Sequence, residues 1–289
     1  FADVPEALTQ PGIDAVLIAS PNGMHFEQAR MAIAAGKHVL VEKPLAETGA
    51  QALQLSEAAA AAGVILAAGH TFRHGAAVRT LMERLPDFGK LLSIEVSQCV
   101  FWDGPQAPWW AERTPEDGLI LSLFAPHALD FVQLVMGAAD PLRMHVEAAR
   151  HQTGWQAEDE AMMLFAYPDR KMATVHISYN QPHVHDRKTL FFDKGVAVIE
   201  DGELLRWNGE SLVEPAAGVL TDSSKMGGRD LSHYFSAQLS EFAKAVRGES
   251  HCCPTGHDSA RLIELLDRVR EQALLNSADA IRAESEEEN

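Results

Sequence analysis

The run DAVLIAS at 14–20 is apolar between polar ends and rich in branched side chains, the pattern of a strand buried on both faces. Residues 25–35 then place Phe26, Ala29 and Ile33 at helical spacing, and Gly36 supplies a stop. KHVLVEK at 37–43 predicts the next strand, ended by Pro44. Thr48 stands where it can cap an Ala-rich helix over 49–62, Gly63 closes that helix, and 64–68 predicts a third strand. Ahead of this βαβαβ order, 1–13 offers only a short helix at 4–9 and no GxGxxG turn.

After Phe72 the pattern changes. A helix over 77–85 leads to a strand at 91–101, a loop rich in Trp and Pro at 102–117, and a helix over 118–136 closed by Gly137. Strands follow at 144–149, 160–166, 172–178, 189–192, 196–200 and 204–207. They are joined by turn pairs such as Asp169-Arg170, Lys194-Gly195 and Asp201-Gly202. Two helices, 230–247 and 257–275, and the solvated acidic tail ESEEEN end the chain. The fold class is therefore α/β: an incomplete parallel sheet at 1–72, then an α+β domain at 73–289 with a mostly antiparallel open sheet.

Parallel sheets bind ligands at the carboxyl ends of their strands, which selects Ser20-Pro21-Asn22, Glu42-Lys43-Pro44 and Gly69-His70. At its strand end, beside Pro44, Lys43 is held by the backbone and can donate to a substrate oxygen as negative charge develops. A solvated surface lysine is the plain alternative. A turn at the start of a helix, as at Ser20 to Asn22, suits phosphate or ribose.

The 289 residues are 46% apolar and 22% charged, enough for two packed cores. The formal charge of −17 repels nucleic acid and anionic membranes at long range, and no apolar run nears the roughly 18–20 residues that span a bilayer. Cys99, Cys252 and Cys253 form no legible disulfide framework, which fits a reducing cytoplasm.

DAVLIASPNGMH (14–25), AGKHVLVEKPLA (35–46), AGVILAAGHTFR (62–73) and the helix with His127-Ala-Leu-Asp130 together resemble the glucose-fructose oxidoreductase, inositol dehydrogenase and MocA (Gfo/Idh/MocA) family. The resemblance implies that the incomplete parallel sheet is Rossmann-type, and that the chain is an enzyme that moves a hydride between NAD or NADP and a sugar, cyclitol or related polyol. It assigns catalysis to Lys43 and His127, and cofactor contacts to Ser20, Pro21, Asn22, His25, Glu42, Lys43, Arg73 and Trp110. Trp109 and Arg113 share the loop of Trp110. In complete members about sixty residues with the glycine-rich loop would precede Phe1, so this chain alone is expected to bind NAD(H) weakly. Many members also place an Asp one turn before the histidine, where this chain has Leu123. That departure leaves room for a second reading, a catalytically silent relative that binds a sugar or a partner.

His176, His183, His185 and Asp186 invite a metal reading, but HxH on a strand only puts two rings on one face, and a polar sheet face explains them better. Cys252-Cys253 reads as a packed turn. Along 160–166 Met162, Leu164 and Ala166 share one face and Met163 and Phe165 the other, so a sheet with helices on one side needs a second cover. A homo-oligomer is expected.

Overall fold

In the computed structural model, which describes residues 4–105, 107–137, 139–215 and 231–287 apart from the side chains of 183, 184 and 278–287, the chain divides into two units. One holds 1–74 and 232–265, the other 75–231 and 266–289. The first begins with helix α1 (Val4–Leu8), strand β1 (Ala15–Ile18), helix α2 (His25–Ala34), strand β2 (His38–Glu42), helix α3 (Gly49–Ala62) and strand β3 (Leu66–Gly69). The three strands pair in parallel in the order β1-β2-β3. Thr48 caps α3 in a full capping box with Gln51, and Gly63 ends it in the left-handed conformation at φ 67°.

Central strand β2 is buried on both faces. Val39 and Val41 join Ile33, Leu55 and Ala29 on one side, while Leu40 meets Ala67 and Phe242 on the other. Phe242 lies on α8 (Ser232–Val246), and Ala260 and Ile263 of α9 (Gly256–Glu287) complete the first core. Residues 232–265, which the linear reading left with the second domain, thus cluster with the first because they supply its missing apolar cover. β1 differs from its sequence pattern. It pairs only with β2 among the described residues, and Leu17 is 54% exposed, so it is an edge strand rather than one buried on both faces.

The second unit opens with α4 (Ala76–Arg84) and β4 (Leu91–Phe101), continues through α5 (Pro108–Ala111), α6 (Ile120–Leu123) and α7 (Ala125–Met136), and then builds β5 (Arg143–Ala149), β6 (Glu160–Ala166), β7 (Met172–Ser178), β8 (Asn180–Phe192), β9 (Gly195–Glu200), β10 (Leu204–Trp207) and β11 (Glu210–Val213). These strands form one eight-stranded sheet, β11-β10-β9-β8-β4-β7-β6-β5, antiparallel except for the pair β4–β7. Ile94, Val96, Met163, Phe165, Ala173 and Val175 are buried in its core, while Met162, Leu164 and Met172 stand exposed.

Further elements differ from the sequence reading, among them α5 inside the expected 102–117 loop and α9, which runs past 275. The helix over 118–136 is two helices, α6 and α7, because Pro126 has no N–H to continue the ladder and crowds the carbonyl four residues back. β8 starts at Asn180 rather than 189, its polar run held by pairing with β4. β11 was missed, although Asn208 and Gly209, both at positive φ, form the turn that an Asn-Gly pair favours. In the tail, the backbone is helical through Glu287, and residues 288–289 lie outside the described part.

Candidate functional site

The carboxyl ends of β1, β2 and β3 gather the first group of expected residues. After β1, Ser20 donates its hydroxyl to Gln28 Oε1 of α2 at 2.7 Å, and its carbonyl lies 2.8 Å from His25 Nε2. His25 is 1% exposed, and its Nδ1 lies 2.7 Å from the Pro44 carbonyl oxygen. Pro21 and Asn22 remain exposed at the rim of the same turn. Glu42 ends β2, and its Oε2 accepts from the Lys43 main-chain N–H at 3.3 Å.

Opposite Glu42 in the parallel register is Gly69. A Cβ on Gly69 would stand 3.0 Å from Glu42 Cα and 3.1 Å from Glu42 Oε2, so the carboxylate lies over β3 only because residue 69 has no side chain. Lys43 is half-buried. Desolvation lowers the pKa of its ammonium, and the nearby charge of Glu42 acts in the opposite direction.

The segment after β3 is fixed by the returning helices. Thr71 Oγ1 donates to Gln238 Oε1 of α8 at 3.0 Å, Phe72 meets Tyr234 edge to face, and Arg73 Nη1 lies 3.9 Å from Asp258 Oδ2. Nearby, the Cys252 thiol donates to Glu241 Oε2 at 3.4 Å. The Cys252 and Glu241 interactions place the cysteine pair in an ordered turn, and burial pushes the Cys253 thiol up to about 12. Gln28 and Gln238 escaped the sequence reading, whereas Gly69 was selected with His70 at the end of the third strand.

The second unit holds the other group. His127 lies in the first turn of α7, half-buried, with the Phe124 ring edge-on to it and its N–H donating to the Phe124 carbonyl at 3.1 Å. Trp110 of α5 belongs to an aromatic cluster with Trp102, Trp155, Tyr179 and Phe124; its ring is parallel to that of Tyr179 to within 14°. Burial holds the Tyr179 phenol protonated well above its ordinary range, with the charge of Glu158 adding to the shift.

Arg113 is committed locally. It donates to the Gly118 and Asp117 carbonyls and so closes the loop that precedes α6. Glu158, whose carboxyl pKa is raised chiefly by burial, accepts from the N–H groups of Leu119 and Leu121 at 2.8 and 3.1 Å. Leu123 leaves the turn before His127 without a carboxylate at the expected position.

On the open side of the large sheet, His176 Nε2 lies 2.8 Å from Glu160 Oε1 and its Nδ1 lies 3.8 Å from Cys99 Sγ. Among the described residues, no three His, Cys, Asp or Glu side chains converge as a metal-ligand set, and the His183 side chain lies outside them. No described helix is long and apolar enough to cross a membrane.

A parallel sheet whose strand ends present a lysine, a carboxylate and a helix-opening turn, joined in one chain to an open mixed sheet, has the ligand-binding end of an open α/β protein. The comparisons with known proteins make the class specific. Residues 1–70 match the oxidoreductase family model described as an NAD-binding Rossmann fold, and 78–198 match the GFO/IDH/MocA C-terminal domain. The chain belongs to the Gfo/Idh/MocA family.

It is 27% identical over 264 residues to 1,5-anhydro-D-fructose reductase of Ensifer adhaerens, covering 88% of this chain and 76% of that protein. YdgJ, an uncharacterized oxidoreductase of Escherichia coli K12, is 32% identical over 164 residues, 56% of this chain and 46% of its own. The same fold is found in an inositol dehydrogenase homolog from Azotobacter vinelandii solved with NADH and myo-inositol, with a TM-score of 0.76 at 20% identity over 93% of this chain and 78% of that one.

Proposed function

We propose that the chain transfers a hydride between NAD or NADP and a carbon–oxygen centre of a sugar, cyclitol or related polyol. The observation that carries this reading is Lys43, a half-buried ammonium of lowered pKa at the end of a parallel strand, next to Glu42 and the turn at Ser20. The donor set fits a nicotinamide cofactor: the exposed Asn22 amide and the helix-opening N–H groups suit ribose or phosphate oxygens, and Glu42 accepts from a hydroxyl. When bound, that cofactor supplies a hydride acceptor or donor.

On the resemblance alone, His127 is assigned to take the substrate hydroxyl proton in the oxidative direction, as the carbon-bound hydrogen leaves with its electron pair. Lys43 donates a hydrogen bond to the oxygen, where negative charge grows. Reduction uses the same groups in reverse, with His127 returning the proton. Trp110 and Arg73 are assigned to cofactor contact on the resemblance alone. The substrate class draws on the anhydro-sugar reductase and on the inositol-bound homolog. A catalytically silent binder, which Leu123 would suit, is the second reading and is not favoured by these relatives.

The experiment is turnover of NADH and NADPH with 1,5-anhydro-D-fructose, and of NAD and NADP with myo-inositol, for the protein and its Lys43→Met variant. Loss of roughly 100- to 1,000-fold in turnover with little change in cofactor affinity is expected. Equal turnover in the variant removes Lys43 from the chemistry. The free cysteines support a cytoplasmic location, and the exposed Met162, Leu164 and Met172 support a homo-oligomer built on the open sheet face.

A further inference from the structure

His25 sits at the first position of α2, from which its side chain points back over the strand ends. Its two ring nitrogens lie 2.7 Å from the Pro44 carbonyl oxygen and 2.8 Å from the Ser20 carbonyl oxygen. Both distances are at the short end for N–H···O bonds. A carbonyl oxygen only accepts, so each contact is a hydrogen bond only if that ring nitrogen carries a proton. A ring with a single N–H satisfies one carbonyl and turns a lone pair toward the other.

The two acceptors belong to different segments. Ser20 follows β1, and Pro44 follows β2 and is joined directly to Lys43. β1 and β2 are parallel neighbours, with Ile18 opposite Val41, so the ring bridges adjacent strand ends. Imidazole suits this position because its nitrogens sit on opposite edges of a rigid plane, whereas Gln or Asn carries both N–H bonds on one atom. The Ser20 side chain is tied to the same helix through Gln28. The turn expected to line the cofactor and the segment carrying Lys43 are therefore registered against one another through α2.

We infer that His25 is a positioning residue for Lys43: its ring is wedged between the Ser20 and Pro44 carbonyls, registers the two strand ends against one another, and acts on the reaction through the placement of the lysine rather than by touching cofactor. Its burial and its two main-chain partners leave the ring no edge for a ligand. This rests on the proposed role of Lys43, and the tests separate the two.

The test uses 13C-dimethylated lysines, with Lys43 assigned by Lys43→Arg. His25→Phe should shift the Lys43 signal while those of Lys90 and Lys194 hold, and His25→Gln, which keeps a single donor nitrogen, should shift it less.

An unmoved Lys43 signal in the folded His25→Phe protein overturns the positioning role. If His25→Phe does not fold, the same comparison is made between wild type and His25→Gln. In turnover, His25→Gln should lose about tenfold in kcat with NADH affinity nearly unchanged. If Lys43→Met keeps full turnover, the catalytic reading fails, while the lysine spectra still decide whether His25 holds the lysine.

Discussion

The carboxylate of Glu42 occupies the space that a side chain on Gly69 would fill, with Oε2 of the acid 3.1 Å from the position of a Cβ. Because Glu42 Cα is equally close, rotation of the acid alone cannot make room. Gly69→Ala should destabilise the first unit by about 1–3 kcal/mol. In a double-mutant cycle, Glu42→Ala should recover part of that loss, because it removes the carboxylate but not the main chain. Urea unfolding of the four proteins measures the coupling; strict additivity would show that the two residues do not compete for this space.

Lys43 should leave a mark on stability as well as on turnover. Its folded pKa is held below the ordinary 10.5, first by desolvation. Between the folded pKa and 10.5 the unfolded chain binds more protons, so stability rises as pH rises through that window. Lys43→Met removes this slope, and the variant should be more stable than wild type at neutral pH, with the gap closing toward alkaline pH. A constant gap across the range would contradict the buried-ammonium picture.

His176 titrates with the opposite sense. Its contact with Cys99, and then that with Glu160, raises the imidazole to about 9 from an ordinary 6.5. The stabilisation is fully present below 6.5 and is lost as pH rises through about 9. His176→Gln should therefore lower the urea midpoint more at pH 6 than at pH 10. An equal loss at both values would show that the charge on this ring contributes nothing.

The exposed face of β6 supplies the assembly test. Met162 is 60% and Leu164 48% exposed, while the alternate residues Met163 and Phe165 are buried. Introducing Met162→Glu and Leu164→Glu together should convert an oligomer to monomers while changing stability by no more than about 0.5 kcal/mol per site. Sedimentation velocity at micromolar concentration reads the change, and an intact oligomer would place the interface elsewhere.

Contiguous signals were legible. β4, β6, β7 and β10 have the bounds that the apolar alternation predicts, and the Thr48 cap is present with its full box. Lys43, Glu42 and Ser20 could be picked out because each follows a strand with a clear pattern. Hidden features depend on partners distant in sequence. Nothing near Asn180 announces that its polar run pairs with β4, and nothing near Thr71 announces Gln238. The clearance at Gly69 is likewise a property of two neighbouring strands and is invisible in either alone.

The placement of β4 has a consequence for biosynthesis. This strand is bordered by β8 on one side and β7 on the other, both of them encoded beyond residue 171. As the chain leaves the ribosome, β4 emerges with both hydrogen-bonding edges open, and its Ile94 and Val96 wait while the aromatic loop, α6, α7 and two further strands are made. The entropy of closing so long a loop must be met before either ladder of β4 can form, so the contacts that complete this strand are among the most non-local in the unit.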